Sequence, residues 1–87
     1  MDGQSTADQE IFVKFRKLLA DKLRLKEDAI KKDSHFVDDI GIDSVDFWEV
    51  IAKVEQEFRI SVEDADVKEV NTVQDVIDVL RRKLKEV

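Results

Sequence analysis

Phe36-Val37-Asp38-Asp39-Ile40-Gly41-Ile42-Asp43-Ser44-Val45-Asp46 decides how the chain is read, because it is a loop closing onto the first turn of a helix with one serine at the junction. Asp43 and Ser44 are both favoured N-cap residues, and Asp46 adds a charge that complements the helix dipole. Capping by either residue accounts for the pair on its own. A hydroxyl at the mouth of a helix also lies where the first backbone N–H groups lack intrahelical partners and where the chain is ordinarily at the surface. Ser44 is therefore reachable by another protein and is the leading candidate functional residue.

Downstream, about Ser44 to Phe58 reads as a helix with two apolar stripes. Phe47, Val50, Ile51, Val54 and Phe58 follow the i, i+3, i+4, i+7, i+11 spacing of a core face. Val45, Trp48 and Ala52 form a second stripe, rotated away from the first. A domain this small cannot bury both, so the second stripe is a candidate docking ridge. Asp43, Asp46, Glu49, Glu55 and the neutral Gln56 edge it, so a partner would meet an apolar strip lined with carboxylates. Trp48 suits either a partner contact or a half-buried packing role against the preceding loop, since tryptophan is enriched at both.

Upstream, Thr6-Ala7-Asp8-Gln9 has the form of a capping box opening a first helix from Thr6 to Arg24, with residues 1–5 as a frayed lead. Ile11, Phe12, Phe15, Leu18, Leu19 and Leu23 give that helix one apolar face. From Leu25 to Asp43 periodicity is lost. Leu25, Ile30, Phe36, Val37, Ile40 and Ile42 are expected to pin this long connection to the core, and a structureless loop of such length tends to be functional. His35 lies in it without partners for catalysis or metal binding and reads as a local packing or hydrogen-bonding residue.

Beyond Phe58, Ser61-Val62-Glu63-Asp64 suggests the cap of a short third helix over Glu63 to Glu69. Thr72-Val73-Gln74-Asp75 opens the last helix, where Val73, Val76, Ile77, Leu80 and Leu84 repeat at core spacing and Arg81, Arg82, Lys83 and Lys85 suit its C-terminal end. Three longer helices, one short third helix and a long loop between helices 1 and 2 predict an all-α four-helix bundle, with 1–87 as a single domain.

Composition agrees. Charged residues make up 41% and hydrophobic residues 43%, with no proline and only two glycines, as expected of a helical and ordered chain. With no cysteine there is no native thiol or disulfide, and a lone histidine cannot build a zinc site. The polar N-terminus carries no signal core, and no run approaches membrane-spanning length, so the cytoplasm is the expected compartment. The net charge of −6 is uneven: residues 38–66 hold ten acidic against two basic residues, whereas residues 10–32 hold eight basic against four acidic. That distribution disfavours nucleic acid and favours partners with basic docking patches.

As a whole, Asp38-Asp39-Ile40-Gly41-Ile42-Asp43-Ser44-Val45-Asp46 resembles the attachment site of the acyl carrier protein family, an acidic pair and a glycine turn followed by Asp-Ser-Leu-Asp, with Val45 here where leucine is usual. The resemblance continues through Glu49, Val50, Ile51, Glu55, Glu57-Phe58, Ile60 and Asn71-Thr72-Val73-Gln74-Asp75-Val76-Ile77, and covers about Phe12 to Leu80. It implies a non-catalytic, monomeric carrier. Ser44 would bear a covalent 4'-phosphopantetheine arm, transferred from coenzyme A by a magnesium-dependent phosphopantetheinyl transferase, and the arm's thiol would hold an acyl group as a thioester. It also implies acyl-transfer or synthase enzymes as partners, met through Asp43, Val45, Asp46, Trp48, Glu49, Ala52 and Glu55, and a bundle that opens to shelter the acyl chain.

Trp48 departs from the family, where a smaller aliphatic residue is usual, and the proline and isoleucine common near the third helix are not in place. Ala65 and Val67 are left to face the pantetheine entrance. Gly41-Ile42-Asp43 resembles the fatty-acid and polyketide type more than peptidyl carriers, which show Gly-Gly-His or Gly-Gly-Asp before the serine. An unmodified helical interaction domain docking through Val45, Trp48 and Ala52 is the alternative. A calcium loop built on Asp38, Asp39, Asp43 and Asp46 lacks the alternating oxygens and terminal glutamate that such loops need.

Overall fold

The stretches with helical apolar spacing all become helices. The structure is a computed structural model in which residues 3–86 are described, with side chains from residue 8 to residue 85. In order they are α1 (Gly3–Leu23), α2 (Ser44–Phe58), the short α3 (Asp64–Val67) and α4 (Val73–Glu86). α1 packs against both α2 and α4, and α3 lies on α4.

Burial follows the periodicity. Ile11, Phe15 and Leu19 of α1, Val50 and Val54 of α2, and Val73, Val76, Ile77 and Leu80 of α4 meet in one core, and Ile51 of α2 is also buried. Removing each such side chain from water contributes about 1.5 to 3 kcal/mol, which is what holds so short a chain together. Phe12, Leu18, Leu23, Phe47 and Phe58 pack around the rim. Ala20 and Val79 are also buried, whereas Leu84, placed on the core face by spacing, stands at the exposed end of α4.

The ends of α1 and α3 differ from expectation, whereas α2 spans the expected residues. α1 is already helical at Gly3, so Thr6 stands inside it rather than at its cap, and Met1 and Asp2 lie outside the described residues. α3 is capped by Glu63, not Ser61, and ends at Val67: the Glu63 N–H donates to the Asp66 carboxylate at 2.9 Å while the Glu63 backbone carbonyl accepts the Asp66 N–H at 2.9 Å. Without glycine, α1 and α2 stop at Arg24 (φ 60°) and Arg59 (φ 57°), left-handed residues that each cost on the order of 1 kcal/mol. Hydrogen bonds offset this strain, from the Leu25 N–H to the Ala20 carbonyl and from the Ile60 N–H to the Glu55 carbonyl.

The connection from Leu25 to Asp43 is not structureless. It contains a 3₁₀ turn at Glu27–Ala29 and a π-helical turn at Phe36–Ile40. Ile30, Phe36 and Ile42 anchor it in the core, while Leu25 and Val37, expected to help, are exposed. Backbone hydrogen bonds attach it to the start of α4: Phe36 N–H to the Asn71 carbonyl at 2.9 Å, Val73 N–H to the Ser34 carbonyl at 3.0 Å, and Gln74 N–H to the Lys32 carbonyl at 2.8 Å. These bonds satisfy N–H groups that an isolated α4 would leave open and fix the loop leading to Ser44.

Candidate functional site

The π-helical turn closes on Gly41, whose φ of 80° is the left-handed conformation that glycine adopts without steric penalty. The chain then reverses, and the Ile42 N–H returns to the Phe36 carbonyl at 2.9 Å. Asp43 follows with extended backbone and serves as the N-cap of α2, its Oδ1 accepting the Asp46 N–H at 2.8 Å. Ser44 is the first residue of the helix and is exposed. The Asp-Ser pair thus divides its work: Asp43 caps, and the Ser44 hydroxyl is not needed for capping.

Ser44 sits at the edge of a groove of about 290 Å³ formed by the π-helical turn, the start of α2, and the segment around α3. Phe36, Ile42, Phe47, Val67 and Val70 give it an apolar interior, and His35, Asp38 and Asn71 add polar groups. Val67 lines the groove as expected, but Ala65 does not. Its floor is braced by aromatic rings set edge to face, Phe15 on Phe36 at 6.2 Å between centroids and Phe36 on Phe47 at 5.5 Å.

The second stripe of α2 is exposed throughout, Val45 at 65% and Trp48 at 43%, with Ala52 beside them. Trp48 rests its ring edge to face on Phe47 at 5.7 Å. Val37, 73% exposed on the π-helical turn, adds an apolar group that periodicity does not reveal. The edging carboxylates behave differently from one another. Asp46 follows the cap, Glu49 pairs with Lys22 of α1, and Glu55 accepts the Val62 N–H at 2.8 Å and so holds the α2–α3 connection.

Within the acidic quartet, the Asp39 carboxylate accepts the His35 N–H at 2.8 Å and Asp43 caps α2. Among the described residues no group of three or more metal-ligating side chains gathers as an ion site. His35 acts through its backbone, in an isolated antiparallel bridge to Thr72. Behind the groove, N–H donors hold two carboxyls below the ordinary aspartate range. Asp66 accepts from Glu63 and is also paired with Lys83 at 2.9 Å; Asp75 accepts from Asn71 and Thr72. Among the described residues no helix is long and apolar enough to cross a membrane.

Residues 13–80 match the family described as the phosphopantetheine attachment site. An acyl carrier protein of Thermotoga maritima is 33% identical over 76 residues, covering 87% of this chain and 94% of the relative. One from Buchnera aphidicola is 39% identical over 70 residues, covering 80% and 88%. A solved structure described as a candidate acyl carrier protein from Mycobacterium tuberculosis superposes with a TM-score of 0.76 at 26% identity, covering 83% of this chain and 96% of that one. A family match over that span, with similar relatives aligned along most of their length, places this chain in the acyl carrier protein family, non-catalytic carriers whose attachment domain takes a 4'-phosphopantetheine group.

Proposed function

We propose that Ser44 bears the 4'-phosphopantetheine arm and that the chain presents acyl intermediates of the fatty-acid or polyketide type to partner enzymes. The observation that carries this reading is the exposed Ser44 hydroxyl, left uncommitted by the Asp43 cap, at the edge of an apolar groove. Of the other serines with described side chains, Ser34 is buried with its Oγ accepting the Lys31 N–H, and Ser61 lies outside the groove.

The residues suit such a group. Bound there, the arm supplies a thiol that holds an acyl group as a thioester, a sulfur this cysteine-free chain lacks. The positive end of the α2 dipole tolerates the phosphodiester charge at Ser44. Phe36, Ile42, Phe47, Val67 and Val70 offer apolar surface, where each methylene removed from water gains about 0.8 kcal/mol. Asp43 and Asp46 are not bases in this scheme: Asp43 holds the helix start, and both attract basic patches on the transferase and later enzymes.

Partner enzymes are expected to dock on Val45, Trp48 and Ala52, with Glu49 and Asp46 at the edge. Glu55 is the weakest of the docking carboxylates because its charge already serves the Val62 N–H. A cytoplasmic, monomeric carrier fits these features. Incubation with coenzyme A and a broad-specificity phosphopantetheinyl transferase tests the reading: intact mass is expected to rise by one arm in the native chain and not in Ser44→Ala. An unmodified native chain would leave the interaction-domain alternative.

A further inference from the structure

Lys53 is one of only two basic residues between positions 38 and 66, and it does not join the acidic surface of that segment. It lines a groove of about 890 Å³ between α1 and α2, together with Lys14, Lys17, Lys22 and Arg24. Asp21 and Glu57 are the only carboxylates among the lining residues, and Leu18 supplies apolar surface. A chain of net charge −6 thus reverses its sign in this groove, with five cations against two anions.

Lys22, paired with Glu49, marks the boundary between the two electrostatic faces. Lys14 lies 5.9 Å from the centre of the Phe58 ring, and Lys17, Arg24 and Lys53 make no ion pair among the described residues. Lys14, Lys17, Arg24 and Lys53 are all exposed. Lys53 stands nine positions after Ser44 on the same helix, a rise of about 13 Å, so the basic groove and the acidic start of α2 are within one protein footprint.

We propose that this groove is a second docking surface, which takes a carboxylate-rich segment of a partner protein. Charge complementarity selects that occupant. A long polyanion such as nucleic acid would also meet the acidic residues of 38–66, and a flat anionic membrane would press on Asp21, Glu49 and Glu57 beside the lysines. A short acidic segment stays clear of the acidic start of α2 and meets only Asp21 and Glu57, outnumbered by the five lining cations, with its flanking residues covering Leu18. The acidic start of α2 and the basic groove beside it then fix orientation, because a partner docked the wrong way round would set like charges against each other at both sites. That this partner is an enzyme acting at Ser44 rests on the function proposed above; the preference of the groove does not.

Titration of the 15N-labelled protein with hexaglutamate at low ionic strength, followed by amide shifts, tests the proposal. Saturable shifts are expected at residues 14–24 and 53–57 and not at 43–46. Lys17→Glu combined with Lys53→Glu should weaken binding at least about tenfold, and the paired glutamine variants should fall between. Both sites are exposed, and a dispersed amide spectrum checks that the variants fold. Ser44→Ala should titrate like the native chain, which separates this result from the fate of the Ser44 reading. Absent or unsaturable shifts would overturn the proposal, as would binding indifferent to the charge reversals. So would equal occupancy by inorganic phosphate, which would make the groove a simple anion site, or tighter binding to phosphatidylglycerol vesicles, which would make it a membrane surface.

Discussion

The Asp43 carboxylate accepts the backbone N–H of Asp46 at 2.8 Å, so the cap of α2 belongs to the residue before Ser44. A helix start ordinarily employs its first polar side chain to satisfy open N–H groups. Here that work is done one position earlier, and the serine hydroxyl is available for chemistry.

It follows that Asp43→Ala should cost about 1 kcal/mol of stability, the usual value of an N-cap, while Ser44→Ala should change stability by less than about 0.5 kcal/mol. Urea unfolding of the two variants measures the difference. Equal losses would mean that the serine shares the cap.

Glu55 is edged toward solvent on α2 but its carboxylate holds the Val62 N–H at 2.8 Å. Glu55→Ala should therefore destabilise the chain by about 1 to 2 kcal/mol and loosen the α2–α3 connection, while leaving modification of Ser44 little changed. Urea unfolding and amide hydrogen exchange at Val62 check this.

Asp46→Lys with Glu49→Lys should slow the transferase reaction, most at low salt, because surface charges steer encounter and are screened as ionic strength rises. The second substitution also sets a lysine against Lys22, turning an attractive contact into a repulsive one. Rates measured across a salt series give the answer. Unaltered rates would remove the electrostatic docking scheme.

Acid should loosen the wall behind the groove. Asp66 is held below the ordinary value of 3.8 first by the Glu63 N–H and then by Lys83, and Asp75 first by the Asn71 N–H. A carboxyl whose folded value is lowered contributes stability that is fully present above its unfolded value and is lost as pH falls through the folded one. Stability should hold above about pH 4 and decline below it, less steeply in Asp66→Asn and Asp75→Asn. Urea midpoints from pH 6 to pH 2 test the slope.

The core was legible because Phe15, Val50, Val54 and Ile77 stand at helical spacing, and spacing is a sequence property. So was the exposed position of Ser44 at the start of α2, through the string around it. The π-helical turn was not: it depends on Phe36 being drawn into the core while its backbone binds Asn71, a contact between positions far apart in sequence. The capping role of Glu63, the use of Glu55 by Val62 and the exposure of Val37 escaped for the same reason. Each depends on where a distant or turning segment comes to rest, which residue type alone does not encode. The pairing of Lys22 with Glu49 likewise appears only once α1 lies beside α2.

Proteolytic mapping of the native chain, after reaction with coenzyme A and the transferase, tests the central assignment most directly. A single arm on the peptide containing Ser44, with Ser34 and Ser61 unmodified, is the predicted result. An arm on Ser61, or none on any serine of a folded chain, would contradict it.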